Sequence, residues 1–146
     1  MGRIPSRPRP AAHFKSVLVV GDSSLDVNRI VATLRMLLGY ELSIRTAATA
    51  NAAVDEILSN VPQLVIMDDV LSPDDTAVTV IPLLRRASYL GLIVIASRLT
   101  YATRTRLLMH AGAAHVMSKD CLDSASIGEV LKRVGLLEDL DDDMPG

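Results

Sequence analysis

PQLVIMDD, residues 62–69, is the stretch that decides the fold. Pro62 and one polar residue lead into four consecutive apolar residues, Leu64 to Met67, and these end on two adjacent acids, Asp68 and Asp69. An apolar run this short, bounded by Pro62 before it and by Ser72 and Pro73 after it, has the length of a strand buried on both faces. Working outward, runs of the same kind recur at 16–20, 92–96 and 113–117, and residues 41–46 alternate, with Leu42 and Ile44 on one face. Helical spacing fills the intervals. Val27, Ile30, Val31, Leu34 and Leu38 form one apolar stripe that Gly39 closes. A second helix is expected over roughly 49–59, with Ala53, Val54, Ile57 and Leu58 inward and Pro62 preventing its continuation. A third follows the acidic turn, with Asp74 or Asp75 as its expected N-cap and an end near Ser88. A fourth spans 100–111 before Gly112, and a last one 124–137. Five strands alternating with five helices across short links predict an α/β fold: three layers, doubly wound, around a five-stranded parallel sheet.

Composition supports one domain of this kind. The chain has 146 residues, 49% of them apolar, yet its aromatic residues are only Phe14, Tyr40, Tyr89 and Tyr101, so the core has to be built from Val, Ile, Leu and Ala. One cysteine, Cys121, cannot form an internal disulfide, and no charged start leads into a signal-peptide run, so a cytoplasmic location is expected. No apolar stretch approaches the ~20 residues of a membrane span. The formal net charge of −2 is unevenly placed, with Arg3, Arg7 and Arg9 at the start and Glu138, Asp139, Asp141, Asp142 and Asp143 at the end. Between Lys15 and Val134 the 12 basic residues are balanced by 12 acidic ones, which argues against direct DNA binding. The expected organisation is a disordered Pro/Arg-rich arm over 1–13, one domain over 14–137 and an acidic tail over 138–146.

In doubly wound sheets function collects at the carboxyl ends of the strands. Here those ends carry Gly21 and Asp22, then Asp68 and Asp69, then Ser97, then Lys119, which is one of only three lysines. Crowded carboxylates raise one another's pKa or recruit a divalent cation, and hard Mg²⁺ suits a few carboxylates and waters. A carboxylate nucleophile, a cation, a hydroxyl and an ammonium each have a task in phosphoryl transfer. Other candidates are weaker. His110 and His115 form no metal-binding pair, there is a single glycine in Gly21-Asp22-Ser23-Ser24 where a phosphate loop would need more, and a lone Cys121 in a loop has no partner.

From Lys15 to Val134 the chain resembles the response-regulator receiver family of bacterial two-component systems, the CheY-like proteins. The resemblance rests on the Pro62 to Asp68 pattern and on the Ser97 to Lys119 interval. It implies the flavodoxin-like strand order 2-1-3-4-5. It also implies Asp68 as phosphoacceptor, Mg²⁺ held by Asp22, Asp68 and the backbone carbonyl of Val70, Ser97 as a hydrogen-bond donor to the phosphoryl oxygens, and Lys119 as their counter-ion. The implied function is phosphorelay signalling by a single-domain response regulator. Its partners would be a histidine kinase or phosphotransfer protein and a downstream protein target, and its only catalysis would be self-phosphorylation and dephosphorylation.

Departures from the family pattern modify these expectations. Gly21 stands where the first of two adjacent acids is usual, which predicts weaker Mg²⁺ binding and admits a rival reading, a phosphorylation-independent interaction module. Pro73 lies four residues after Asp69, the family's usual distance from phosphoacceptor to proline, whereas counting from Pro62 selects Asp68; a one-residue insertion at Ser72 reconciles the two in favour of Asp68. Successive strand residues point opposite ways, so only one of the two acids readily faces the pocket. Asp120 follows Lys119 where proline is usual, and a trans bond is expected because cis costs ~3–4 kcal/mol without proline. Val116 replaces the family's mobile aromatic residue, leaving Ser97 and the Arg-rich segment after it (Arg98, Arg104, Arg106) to carry any signal. Leu107, Leu108, Ile127 and Val130 on the last two helices are candidates for a contact or homodimer face, though their spacing favours the core.

Overall fold

The apolar runs form one parallel sheet: β1 Ser16–Val20, β2 Ser43–Ala47, β3 Leu64–Asp68, β4 Leu92–Ser97 and β5 His115–Ser118. Their spatial order is β2-β1-β3-β4-β5, as expected. These elements belong to a computed structural model that describes residues 8–11 and 14–139. The alternate residues of each strand feed two separate cores. Val17, Val19, Leu64, Ile66, Val94 and Ala96 face one side, where α1 Ser24–Leu38 and α5 Ser124–Arg133 cover them with Ile30, Leu34, Ile127 and Leu131. Leu18, Val20, Val65, Met67, Ile93 and Ile95 face the other, under α2 Ala50–Ser59, α3 Ala77–Arg86 and α4 Ala102–Ala111. Every residue of β1 and β3 is buried, which is why these strands read as unbroken apolar runs.

Local chemistry starts and stops the helices. The Ser23 side chain accepts from the Asp26 N–H at the start of α1, and Thr49 does the same for Ala52 in α2. The N-cap of α3 is Thr76, in place of the expected Asp74 or Asp75. Asp75 is drawn into a short antiparallel ribbon, Val70–Ser72 against Asp75–Thr76, so the helix begins one residue later. That helix also stops at Arg86, short of Ser88, because Ser88 turns into the left-handed region at φ 68. The last helix likewise ends at Arg133, short of Leu137. Gly135 reverses the chain at φ 82, and Leu137–Asp139 pairs antiparallel with Pro8–Pro10. Residues 8–10, expected as part of an unpaired arm, are thus in a two-stranded ribbon, where proline is tolerated because both strands are edges. The remainder of the expected arm, apart from Ala11, and residues 140–146 of the acidic tail lie outside the described residues.

Candidate functional site

Strand parity carries the first acid of β3 to one side of the sheet and its neighbour to the other. Asp68 continues the Leu64, Ile66 series toward α1 and α5, and Asp69 leaves on the α2–α4 side. Both acids are buried. They have different partners.

On the first side, the Asp68 Oδ1 lies 3.2 Å from the Lys119 ammonium, while Asp68 Oδ2 is buried without a hydrogen-bond partner. Lys119 leaves the loop after β5, where its backbone N–H donates to the Ser97 carbonyl. The same ammonium lies 2.9 Å from Asp26 Oδ2, and Arg98 approaches that oxygen at 3.6 Å. Asp22 is exposed. It nonetheless adds negative charge near Asp68, as does Asp26. Gly21 packs directly beneath the acid: a Cβ at this position would sit 2.9 Å from both Asp68 Oδ2 and Val27 Cγ2. Gly21→Ala is therefore expected to cost about 1–3 kcal/mol through overpacking, read as a lowered urea midpoint at unchanged slope.

On the second side, the Ser97 hydroxyl donates to Asp69 Oδ2 at 2.7 Å, and the Leu99 N–H donates to Ser97 Oγ at 2.9 Å. Arg104 of α4 grips Asp69 with both arms of its guanidinium, Nε to Oδ2 at 3.0 Å and Nη2 to Oδ1. Over these residues lies a cavity of about 190 Å³, bounded by Asp69, Val70, Ser97, Arg98, Leu99 and Lys119. The structure thus brings Asp68 and Lys119 together, leaves Asp22 at the rim, and directs Ser97 to Asp69. Val70 opens the short ribbon beside the cavity. Val116 packs against the α2–α4 core, no cis peptide bond occurs among the described residues, and Cys121 is exposed.

Asp26 is not among the sequence-predicted site residues, and Arg104 enters there only as one of three arginines after Ser97, without its contact to Asp69. A usable signal existed for each. Asp26 shares a helix face with Ile30 and Leu34 at four-residue steps, and Arg104 shares one with Leu108, the buried residue of α4.

Burial raises the Asp68 pKa above its ordinary value of 3.8; Lys119 opposes that shift, while Asp26 and Asp22 add to it. A native carboxyl that keeps its proton to higher pH than the unfolded one weakens the fold as pH rises from 3.8 through the raised value. Asp68→Asn removes this effect. The variant is expected to melt at a higher temperature than the parent at pH 7, with the gain shrinking as the pH approaches 3.8. Parallel thermal melts across that range check it.

Whether the site suits a divalent cation is decided by its donors. No group of three or more His, Cys, Asp or Glu among the described residues is arranged to hold a metal. The orphaned Asp68 Oδ2, with Asp22 nearby and exposed to water, still fits Mg²⁺, which takes one or two carboxylates and completes its shell with waters.

No family model matches the sequence, and no curated protein matches it. Solved structures do share the fold. The chemotaxis protein CheY4 of Vibrio cholerae is 20% identical and superposes with a TM-score of 0.73 over 83% of this chain and 98% of that one. A CheY-like receiver domain protein from Methanospirillum hungatei is 17% identical, with a TM-score of 0.68 over 82% and 91%. A Burkholderia pseudomallei response regulator, solved with a phosphorylated aspartic acid, a calcium ion and citrate, is 17% identical, with a TM-score of 0.66 over 77% and 64%. The architecture is that of a doubly wound α/β domain with an acid-and-lysine cluster at its carboxyl edge. In particular, it is the response-regulator receiver fold. No helix among the described residues is long and apolar enough to cross a membrane.

Proposed function

We propose that the chain acts as a receiver in a cytoplasmic phosphorelay, accepting a phosphoryl group on Asp68. One observation carries this reading. Asp68 is buried at the end of the central strand, with one oxygen paired to Lys119 and the other without a hydrogen-bond partner. A desolvated carboxylate with a free oxygen is a competent nucleophile, and the ammonium beside it offsets the charge that accumulates during transfer.

In the proposed step, the Asp68 carboxylate attacks the phosphorus of a phosphohistidine on a partner kinase or phosphotransfer protein. The new O–P bond forms as the P–N bond breaks, and the electron pair and then a solvent proton go to the imidazole. Water later cleaves the acyl phosphate. Lys119 pairs with the carboxylate before attack, and its ammonium also borders the adjoining cavity, where it can offset the charge of the transferring group. Mg²⁺, held by Asp68, Asp22 and the Val70 carbonyl, would supply further neutralisation of charge. For Ser97 to reach a phosphoryl oxygen it has to release Asp69, so transfer would loosen the β4 to α4 connection and bias a pre-existing equilibrium. The output is then a changed surface read by a protein target. Of the four apolar residues weighed for that surface, Leu108, Ile127 and Val130 are buried, and Leu107 is 45% exposed on α4. Leu107 is the one available to a target or to a second copy of the chain.

Incubation with Mg²⁺ and acetyl phosphate, followed by intact mass, tests the reading. One added phosphoryl group is expected. The rival, a phosphorylation-independent interaction module, is favoured by the packing of Gly21 under Asp68, which leaves no room for a further acid there. It predicts no added mass.

A further inference from the structure

Lys119 is shared between two carboxylates, only one of which is the proposed nucleophile. The shorter contact goes to the other one: 2.9 Å to Asp26, against 3.2 Å to Asp68. Asp26 is 7% exposed. It stands in the first turn of α1, where the cap on its own N–H is supplied by Ser23, so its carboxylate is not needed to close the helix. That carboxylate points instead at the Lys119 ammonium, with the Arg98 guanidinium also nearby. Two cations bordering the cavity therefore share one anchor.

We infer that Asp26 is a positioning residue that holds the Lys119 ammonium beside Asp68 before, during and after phosphoryl transfer. The inference rests on Asp68 being the phosphoacceptor. Its logic lies in what transfer does to the pair. Attack converts Asp68 into an acyl phosphate and removes the carboxylate that Lys119 had faced, whereas Asp26 is not consumed. A lysine with Asp68 as its sole partner would have to find a new position during the step. One anchored on Asp26 stays in place and meets the incoming group already oriented. Asp26 also supplies, from a helix, an acid in a cluster where Gly21 supplies none, and it turns that charge toward lysine. Burial favours the neutral amine at Lys119; Asp26 and Asp68 together outweigh it and keep the ammonium charged.

The test uses the full chain with two readouts. One is the initial rate of phosphorylation by acetyl phosphate with Mg²⁺. The other is the rate at which acetic anhydride acylates Lys119, read by peptide mass with Lys15 and Lys132 as internal references. Asp26→Asn is expected to slow phosphorylation and to speed acylation of Lys119, each about tenfold, the range of one hydrogen bond to a charged group. Acylation of Lys15 and Lys132 should not change, which separates local release from unfolding. Asp26→Glu, which keeps the charge, should restore both rates to within about threefold of the parent. Unchanged rates at Lys119 in Asp26→Asn overturn the inference, as does a Glu variant no better than Asn. An unlabelled parent overturns the phosphoacceptor reading and the transfer role with it, and the acylation arm still decides whether Asp26 holds Lys119.

Discussion

Arg104→Ala is expected to destabilise the protein by about 3–5 kcal/mol, the cost of leaving a buried carboxylate without its counter-ion. Asp69 is 3% exposed and receives both arms of the Arg104 guanidinium; with Arg104 gone it keeps only the Ser97 hydroxyl. The effect should exceed that of cutting back an exposed residue of the same helix such as Leu107, because surface truncations usually stay within about 0.5 kcal/mol. Arg104→Lys should recover only part of the loss, since an ammonium cannot reproduce the two-armed contact. The double variant Asp69→Asn, Arg104→Ala should be markedly more stable than Arg104→Ala alone, because the unpaired charge is gone. Urea unfolding of the parent and the four variants provides these values. A cost for Arg104→Ala below about 1 kcal/mol would mean that Asp69 is solvated once released and that the pair does not hold α4 to the sheet.

The second large effect is chemical. Asp68→Asn should lose all phosphoryl labelling, since an amide oxygen is a poor nucleophile and β3 then turns no carboxylate toward Lys119. Asp69→Asn should retain labelling, because its side chain lies on the opposite face, enclosed by Ser97 and Arg104. The same Asp68→Asn protein should be more heat-stable than the parent at neutral pH, so loss of labelling cannot be attributed to unfolding.

Much of this was legible in the sequence because the fold speaks through periodicity. Leu64 to Met67 reads as a strand covered on both faces, and the alternation continues through Asp68 and Asp69 to separate the two acids. The same parity runs through Ile93, Ile95 and Ser97 and sends the Ser97 hydroxyl to the Asp69 side. The resemblance implies that Ser97 meets the transferred phosphoryl group, and the strand count accounts for where its hydroxyl rests in this structure. Helix ends were less legible. Ser88 adopts a left-handed conformation without being glycine, and α5 stops early to allow pairing between segments more than a hundred residues apart. Neither can be read from a local window. The role of Asp26 and the partner of Arg104 were less legible for a different reason. Charged residues near helix starts are usually solvated, so the four-residue spacing from Asp26 to Ile30 and from Arg104 to Leu108 gains weight only beside the contacts that turn these two inward.

The two readings of the acid pair differ in a single covalent position. Phosphorylated parent protein, reduced with borohydride so that an aspartyl phosphate becomes homoserine, can be digested and sequenced by mass spectrometry to place the modified residue. The change is expected at residue 68 alone. Modification at Asp69, or none at either acid under conditions that keep the fold intact, would contradict it.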